Sequence, residues 1–159
     1  MIADNISLGL ASFADAVTIA TVSRDEIESG LPWSWTPARV ERALRQRDVN
    51  VVVAKDANVL AGFGIMKYDD DGANLGLLAV TKAYRRRGTA TRIVAWLEQV
   101  AVCAGLFDVT VQLRERNTVA KAFYEKLDFE VIDHVRAYYP HREKAIVMAK
   151  RLSVNTPTV

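Results

Sequence analysis

Cysteine is nearly absent from this chain: Cys103 stands alone, so no intrachain disulfide can form, which suits a reducing compartment. Histidine occurs only at His134 and His141, and no His, Cys and carboxylate set falls at metal-ligand spacing, so no metal is expected. An excess of either charge is missing too: 21 basic and 19 acidic residues leave a net of +2, without the broad cationic footprint of a nucleic-acid binder. No apolar run approaches the roughly 20 residues of a membrane span. The segment Met1 to Asn5 lacks the basic start and apolar stretch of a secretory signal. These absences set the expectation of a soluble cytoplasmic protein, monomer or homodimer, with no nucleic-acid or membrane partner. What is present is ordinary for a packed fold: 50% hydrophobic and 25% charged residues in a chain of 159. That length suits one domain over 1–152, followed by a mobile tail over 153–159.

Ile6 to Leu10 reads as a strand, and Ser12 as the cap of a helix from about Phe13 that buries Val17, Ala20 and Ile27. Gly30 to Trp35 interrupts it with glycine, proline and two tryptophans. Thr36-Pro37 then restarts a helix, a capping hydroxyl before a first-turn proline, running to about Arg47. Val49 to Ala54 and Val59 to Tyr68 flank a turn and predict a hairpin. Asp69-Asp70-Asp71-Gly72 is a further turn, without the spaced ligands of a calcium loop, and Ala73 to Val80 is the next strand.

From Gly88 the period becomes helical, with Ala90, Ile93, Val94, Leu97, Val100 and Ala101 on one stripe and Gly105 as the stop. Cys103, among small apolar neighbours, reads as a core or near-core filler. A strand over Val109 to Leu113, a helix over Asn117 to Leu127, and strands over Glu130 to Tyr138 and Lys144 to Lys150 complete the chain. Strands and helices interleaved in this way predict an α/β (α+β) fold.

The chemistry concentrates where Leu78-Ala79-Val80 leaves a strand and Tyr84-Arg85-Arg86-Arg87-Gly88-Thr89-Ala90 enters a helix. First-turn amides of a helix lack internal partners and carry the positive end of the helix dipole. Small residues such as Gly88 and Ala90 let a phosphate approach them, and the arginines add charge. A pyrophosphate is the natural guest; the alternative is an exposed basic turn touching nucleic acid.

Arg85-x-x-Gly88-x-Ala90 after Leu78-Ala79-Val80 resembles the coenzyme A-binding motif of the GNAT acetyltransferase superfamily. The resemblance implies a central mixed, mostly antiparallel sheet of six to seven strands flanked by about four helices. It also implies acetyl-CoA as co-substrate, held by Leu78, Ala79, Val80, Arg85, Arg86, Arg87, Gly88, Thr89, Ala90 and Thr91, with the Val80 amide polarising the thioester carbonyl. Asn117 to Phe129 resembles the same family's Asn-x-x-Ala-x-x-(Phe/Leu)-Tyr-x-x-x-Gly-Phe element. By that resemblance Asn117 contacts the cofactor arm and Tyr124 protonates the departing thiolate, while Asp128 stands where glycine is usual.

Arg136 to Pro140, Glu143 to Met148 and Pro32-Trp33 look like the ribosomal-protein alanine N-acetyltransferase branch. That implies Trp33, Tyr138 and Tyr139 beside a groove for an amine acceptor, a protein N-terminus. The branch usually carries glutamate as its base where this chain has Gln112, which cannot accept a proton; Glu115 is the nearby candidate. The rival readings are a small-molecule amine acetyltransferase and a non-catalytic acyl-CoA-binding module.

Overall fold

The structure, a computed structural model, describes residues 5–136 and 144–153. Seven strands form one sheet in the order β1-β2-β3-β4-β5-β7-β6. They are β1 (Ile6–Leu10), β2 (Val49–Asp56), β3 (Val59–Tyr68), β4 (Ala73–Val80), β5 (Asp108–Arg114), β6 (Glu130–Arg136) and β7 (Lys144–Arg151). Every neighbouring pair is antiparallel except β4 with β5. Four α-helices flank it: α1 (Ala16–Val22), α2 (Pro37–Arg45), α3 (Thr89–Cys103) and α4 (Thr118–Lys126). No described helix is long and apolar enough to cross a membrane. The fold is the mixed, mostly antiparallel one expected.

The two faces of the sheet carry separate cores. On one, Ile93, Val94, Leu97 and Ala101 of α3 and Tyr124 of α4 pack with Met66, Leu75, Val109 and Met148. On the other, Ala16, Ile19 and Ala20 of α1 and Val40 and Ala43 of α2 cover Val53, Phe63, Leu77 and Ala79. Gly62 and Gly64 let α3 sit close to β3: a Cβ on Gly64 would lie 2.8 Å from the Ile93 Cγ2. Thr36 caps α2 as its sequence indicates, its hydroxyl accepting the Arg39 amide at 3.3 Å, a contact of about 1 kcal/mol.

Three expectations need correcting. Val17 is 61% exposed; a tighter 3-10 turn over Phe13–Asp15 precedes α1 and shifts which residues face inward, so α1 buries Ala16, Ile19 and Ala20 instead. The helix from Thr36-Pro37 stops at Arg45, two residues before Arg47. Cys103 is exposed in the last turn of α3, two residues past its last buried residue, Ala101.

The end of α4 shows how Tyr124 is placed. Asp128 donates its amide to the Glu125 carbonyl at 3.1 Å, and Phe129 donates to the Tyr124 carbonyl at 3.0 Å. This paired closure is a Schellman motif, completed by apolar contact between its two ends. The Tyr124 and Phe129 rings supply that contact edge to face, their centroids 5.2 Å apart. The motif requires a left-handed residue at Asp128, whose φ is 71°. Asp128→Gly removes that backbone strain and is expected to stabilise the fold by about 0.5–1 kcal/mol. A urea-unfolding midpoint that rises without a change in slope checks it.

Candidate active site

β4 and β5 stay together for three pairs, Ala73↔Val109, Asn74↔Thr110 and Leu75↔Val111, and then part. The break coincides with a bulge: Ile65 pairs Leu77 and Met66 pairs Leu75, leaving Gly76 as the extra residue. Bulges redirect side chains and end pairing. Here the bulge puts Leu75 in one core and Leu77 in the other. Beyond it β5 continues along β7 to the pair Arg114↔Ala145. A cleft of about 780 Å³ opens between the diverging strands, lined by Gly76, Leu77 and Leu78 on one side and Val111, Gln112 and Leu113 on the other.

Backbone groups face this gap. The Thr81 amide donates to the Ala61 carbonyl at 2.9 Å, so by ladder alternation the neighbouring pair Gly62↔Val80 exchanges no bonds. The N–H and C=O of Val80, and those of Leu78 two residues earlier, therefore point away from β3 toward the space β5 has left. Ala79, between them, is buried and points into the other core.

The turn after β4 is held from several directions. The Tyr84 hydroxyl donates to Asp56 at 2.9 Å, and the Arg87 guanidinium lies 5.2 Å over the Tyr84 ring. Arg85 Nε donates to the Val80 carbonyl at 3.1 Å, and its Nη2 pairs with the Glu26 carboxylate. Arg86 is exposed with φ 63° and Gly88 has φ 77°. Gly88 precedes α3, and a Cβ there would meet nothing within 4 Å, so its conformation rather than crowding calls for glycine. The amides of Thr89, Ala90 and Thr91 stand in the first turn of α3, where a helix supplies no internal acceptor. The Thr89 side chain itself turns inward: it is buried and its hydroxyl has no partner among the described residues.

From α4, Asn117 and Tyr124 both line the cleft. Asn117 caps α4, its Oδ1 accepting the Ala120 amide at 3.1 Å. Tyr124 is 4% exposed, and burial pushes its phenol well above the ordinary tyrosine range, so the hydroxyl keeps its proton at neutral pH. Gln112 lines the cleft. Glu115 is exposed on the loop after β5 and is not among the lining residues.

The remaining wall belongs to the segment between α1 and α2. Trp33 does not line the cleft: its Nε1 donates to the Ala20 carbonyl at 3.2 Å and ties the ring back onto α1. Trp35 lines it instead, with the Arg39 guanidinium 3.9 Å over its ring. Tyr138 and Tyr139, also expected beside the acceptor, lie outside the described residues, as does His141. His134 is exposed on the edge strand β6.

Sequence reasoning missed Glu28. It is 6% exposed and lines the cleft. Its carboxylate accepts the Ser23 hydroxyl at 2.9 Å, the Ser34 amide at 2.7 Å, the Ser34 hydroxyl, and the Trp35 amide at 3.3 Å. Burial raises its pKa, but the donors, led by Ser34, outweigh that and hold it below the usual carboxylate range. No periodicity marks such a residue; its only trace in the sequence is an acid flanked by Ser23 and Ser34.

The Acetyltransferase (GNAT) family matches residues 19–129. A curated relative, the [ribosomal protein bS18]-alanine N-acetyltransferase of Haemophilus ducreyi, is 30% identical over 105 residues, covering 64% of this chain and 72% of that protein. Among solved structures, Ard1 from Thermoplasma volcanium superposes with a TM-score of 0.83 at 20% identity, over 94% of this chain and 99% of that one. Arabidopsis thaliana NAA60 in complex with acetyl-CoA gives 0.79 at 15% identity, over 92% and 98%.

Glu28→Ala strands several donors and is expected to cost about 1–3 kcal/mol, with a red shift of tryptophan emission as Trp35 loosens. Because the folded carboxyl binds its proton more weakly than the unfolded one, Glu28 stabilises in full above the ordinary carboxylate range. That contribution is lost as pH falls through the lower folded value, so the wild-type and Glu28→Ala stability curves should converge only in acid.

Proposed function

This chain belongs to the acetyltransferase (GNAT) family, and on that premise we propose that it moves an acetyl group from acetyl-CoA to a primary amine, most simply the α-amine of a protein or peptide N-terminus. The observation that carries the reading is the parting of β4 from β5 past Leu75↔Val111, which opens a cleft lined by Leu78 and leaves the outward backbone groups of Leu78 and Val80 without a partner on β5. The residues fit the co-substrate. Gly88, Ala90 and the free first-turn amides suit a pyrophosphate, with Arg86 and Arg87 adding charge, and an extended amide-bearing arm can pair with the exposed edge of β4.

Transfer is direct within a ternary complex. The neutral amine nitrogen attacks the thioester carbon while the Val80 amide steadies the oxyanion. As the C–S bond breaks, Tyr124 hands its proton to the sulfur, and the proton shed by the new amide returns to Tyr124 through water. Asn117 orients the arm. Among the described residues no carboxylate lining the cleft is suited to act as base: Glu28 is surrounded by donors and held acidic, Glu26 is paired to Arg85, and Gln112 cannot accept a proton. The acceptor must therefore arrive neutral. At pH ~7.4 about a fifth of a chain-terminal amine is neutral, against about a thousandth of a lysine. With both carboxylates among the described lining residues engaged, the second ammonium of a polyamine finds no partner among those residues. The alanine N-acetyltransferase name of the Haemophilus ducreyi relative agrees with an N-terminal acceptor.

Thiol release from acetyl-CoA against a peptide panel and a set of small amines tests the reading. Turnover with peptides should climb with pH along the titration of the acceptor amine. Tyr124→Phe should lose about 10²-fold or more while binding acetyl-CoA as well as wild type. Activity confined to small amines, or acetyl-CoA binding with no transfer at all, contradicts it.

A further inference from the structure

We infer that Arg85, although it opens the phosphate-turn motif, is a positioning residue that latches the acceptor wall of the cleft to the oxyanion end of β4. Its planar fork reaches two elements, 5 and 59 residues back along the chain: Nε donates to the Val80 carbonyl at 3.1 Å, and Nη2 meets the Glu26 carboxylate. Glu26 belongs to the π-helical turn Ser23–Ile27 that extends α1, and it lines the cleft. Its side chain is 18% exposed, against 48% for Arg85.

Two consequences follow from the geometry. Val80 is the residue whose N–H faces the gap; its carbonyl, one peptide unit further on, is what Arg85 holds, which restrains the backbone next to the amide that meets the thioester. On the other side, Glu28 stands two residues past Glu26 and gathers Ser23, Ser34 and Trp35 around one carboxylate. The Glu26 end of the latch is thereby continuous with the loop that carries Trp35. An amine bound against that loop meets a thioester whose polarising amide is anchored to the same body. Arg85 commits Nε and Nη2 to this latch, and the inference assigns the phosphate to Arg86 and the amides of 88–91.

The inference rests on the acetyl-transfer reading, so its test separates the two. Arg85→Lys keeps the charge but cannot span both partners; Glu26→Gln keeps an acceptor but removes the ion pair. Each is expected to lower kcat/KM for the best peptide acceptor about tenfold while the acetyl-CoA Kd, measured by calorimetry, stays within about twofold. The double variant should be no worse than either single one, because both break the same link. Hydrogen exchange should rise in 24–28 and in 79–82 for both variants, a readout that needs no turnover. Weaker acetyl-CoA binding in Arg85→Lys with Glu26→Gln unaffected makes Arg85 a phosphate ligand and overturns the latch, as do additive losses or unchanged exchange. A wild-type protein that acetylates no amine defeats the functional reading, and the exchange data still decide whether the latch exists.

Discussion

The separation of β4 from β5 is the constraint on which the rest of this molecule depends. A parallel pair that ran the full length of both strands would satisfy its own hydrogen bonds and leave nothing for a ligand. The extra residue at Gly76 halts pairing after Leu75↔Val111, and from there each strand answers to a different neighbour. β4 follows β3 and carries its outer edge toward the turn before α3, while β5 follows β7 and carries Gln112 and Leu113 to the opposite wall. The unpaired edge is tolerable because it lines a cleft of about 780 Å³ rather than the dry core.

Around that gap the titratable groups are sorted by their surroundings. Tyr124, enclosed by Phe123 and Phe129, keeps its proton and remains a hydrogen-bond donor. Glu28, surrounded by donors, keeps its charge and is suited to hold a loop. The same burial would favour protonation in both; hydrogen-bond donors reverse the outcome for Glu28 alone.

Much of this was legible in the sequence because it rests on local rules. Thr36-Pro37, the helical period from Gly88 and the strand boundaries of β1, β3 and β4 follow from capping, periodicity and alternation, and the family resemblance of 78–90 and 117–129 was present in the residues themselves. What stayed hidden depends on contacts distant in sequence. Trp33 and Trp35 look equivalent along the chain, but a carbonyl on α1 captures the first and leaves the second at the cleft. Arg85 reads as one of three equivalent cations until Glu26 and Val80 are seen to occupy it. Cys103 sits among apolar neighbours in the sequence yet lies past the buried stripe of α3. Val17 was misplaced because a 3-10 turn alters helical phase before α1 begins.

The central claim is that the bared edge of β4 receives the arm of coenzyme A and the start of α3 receives its diphosphate. A crystal structure with coenzyme A bound measures this directly. The account predicts an extended arm hydrogen-bonded to the backbone of Leu78 and Val80, with the pyrophosphate on the amides of 88–91 and the sulfur near the Tyr124 hydroxyl. An arm bound elsewhere, with β4 and β5 closed on each other past Leu75, would contradict it.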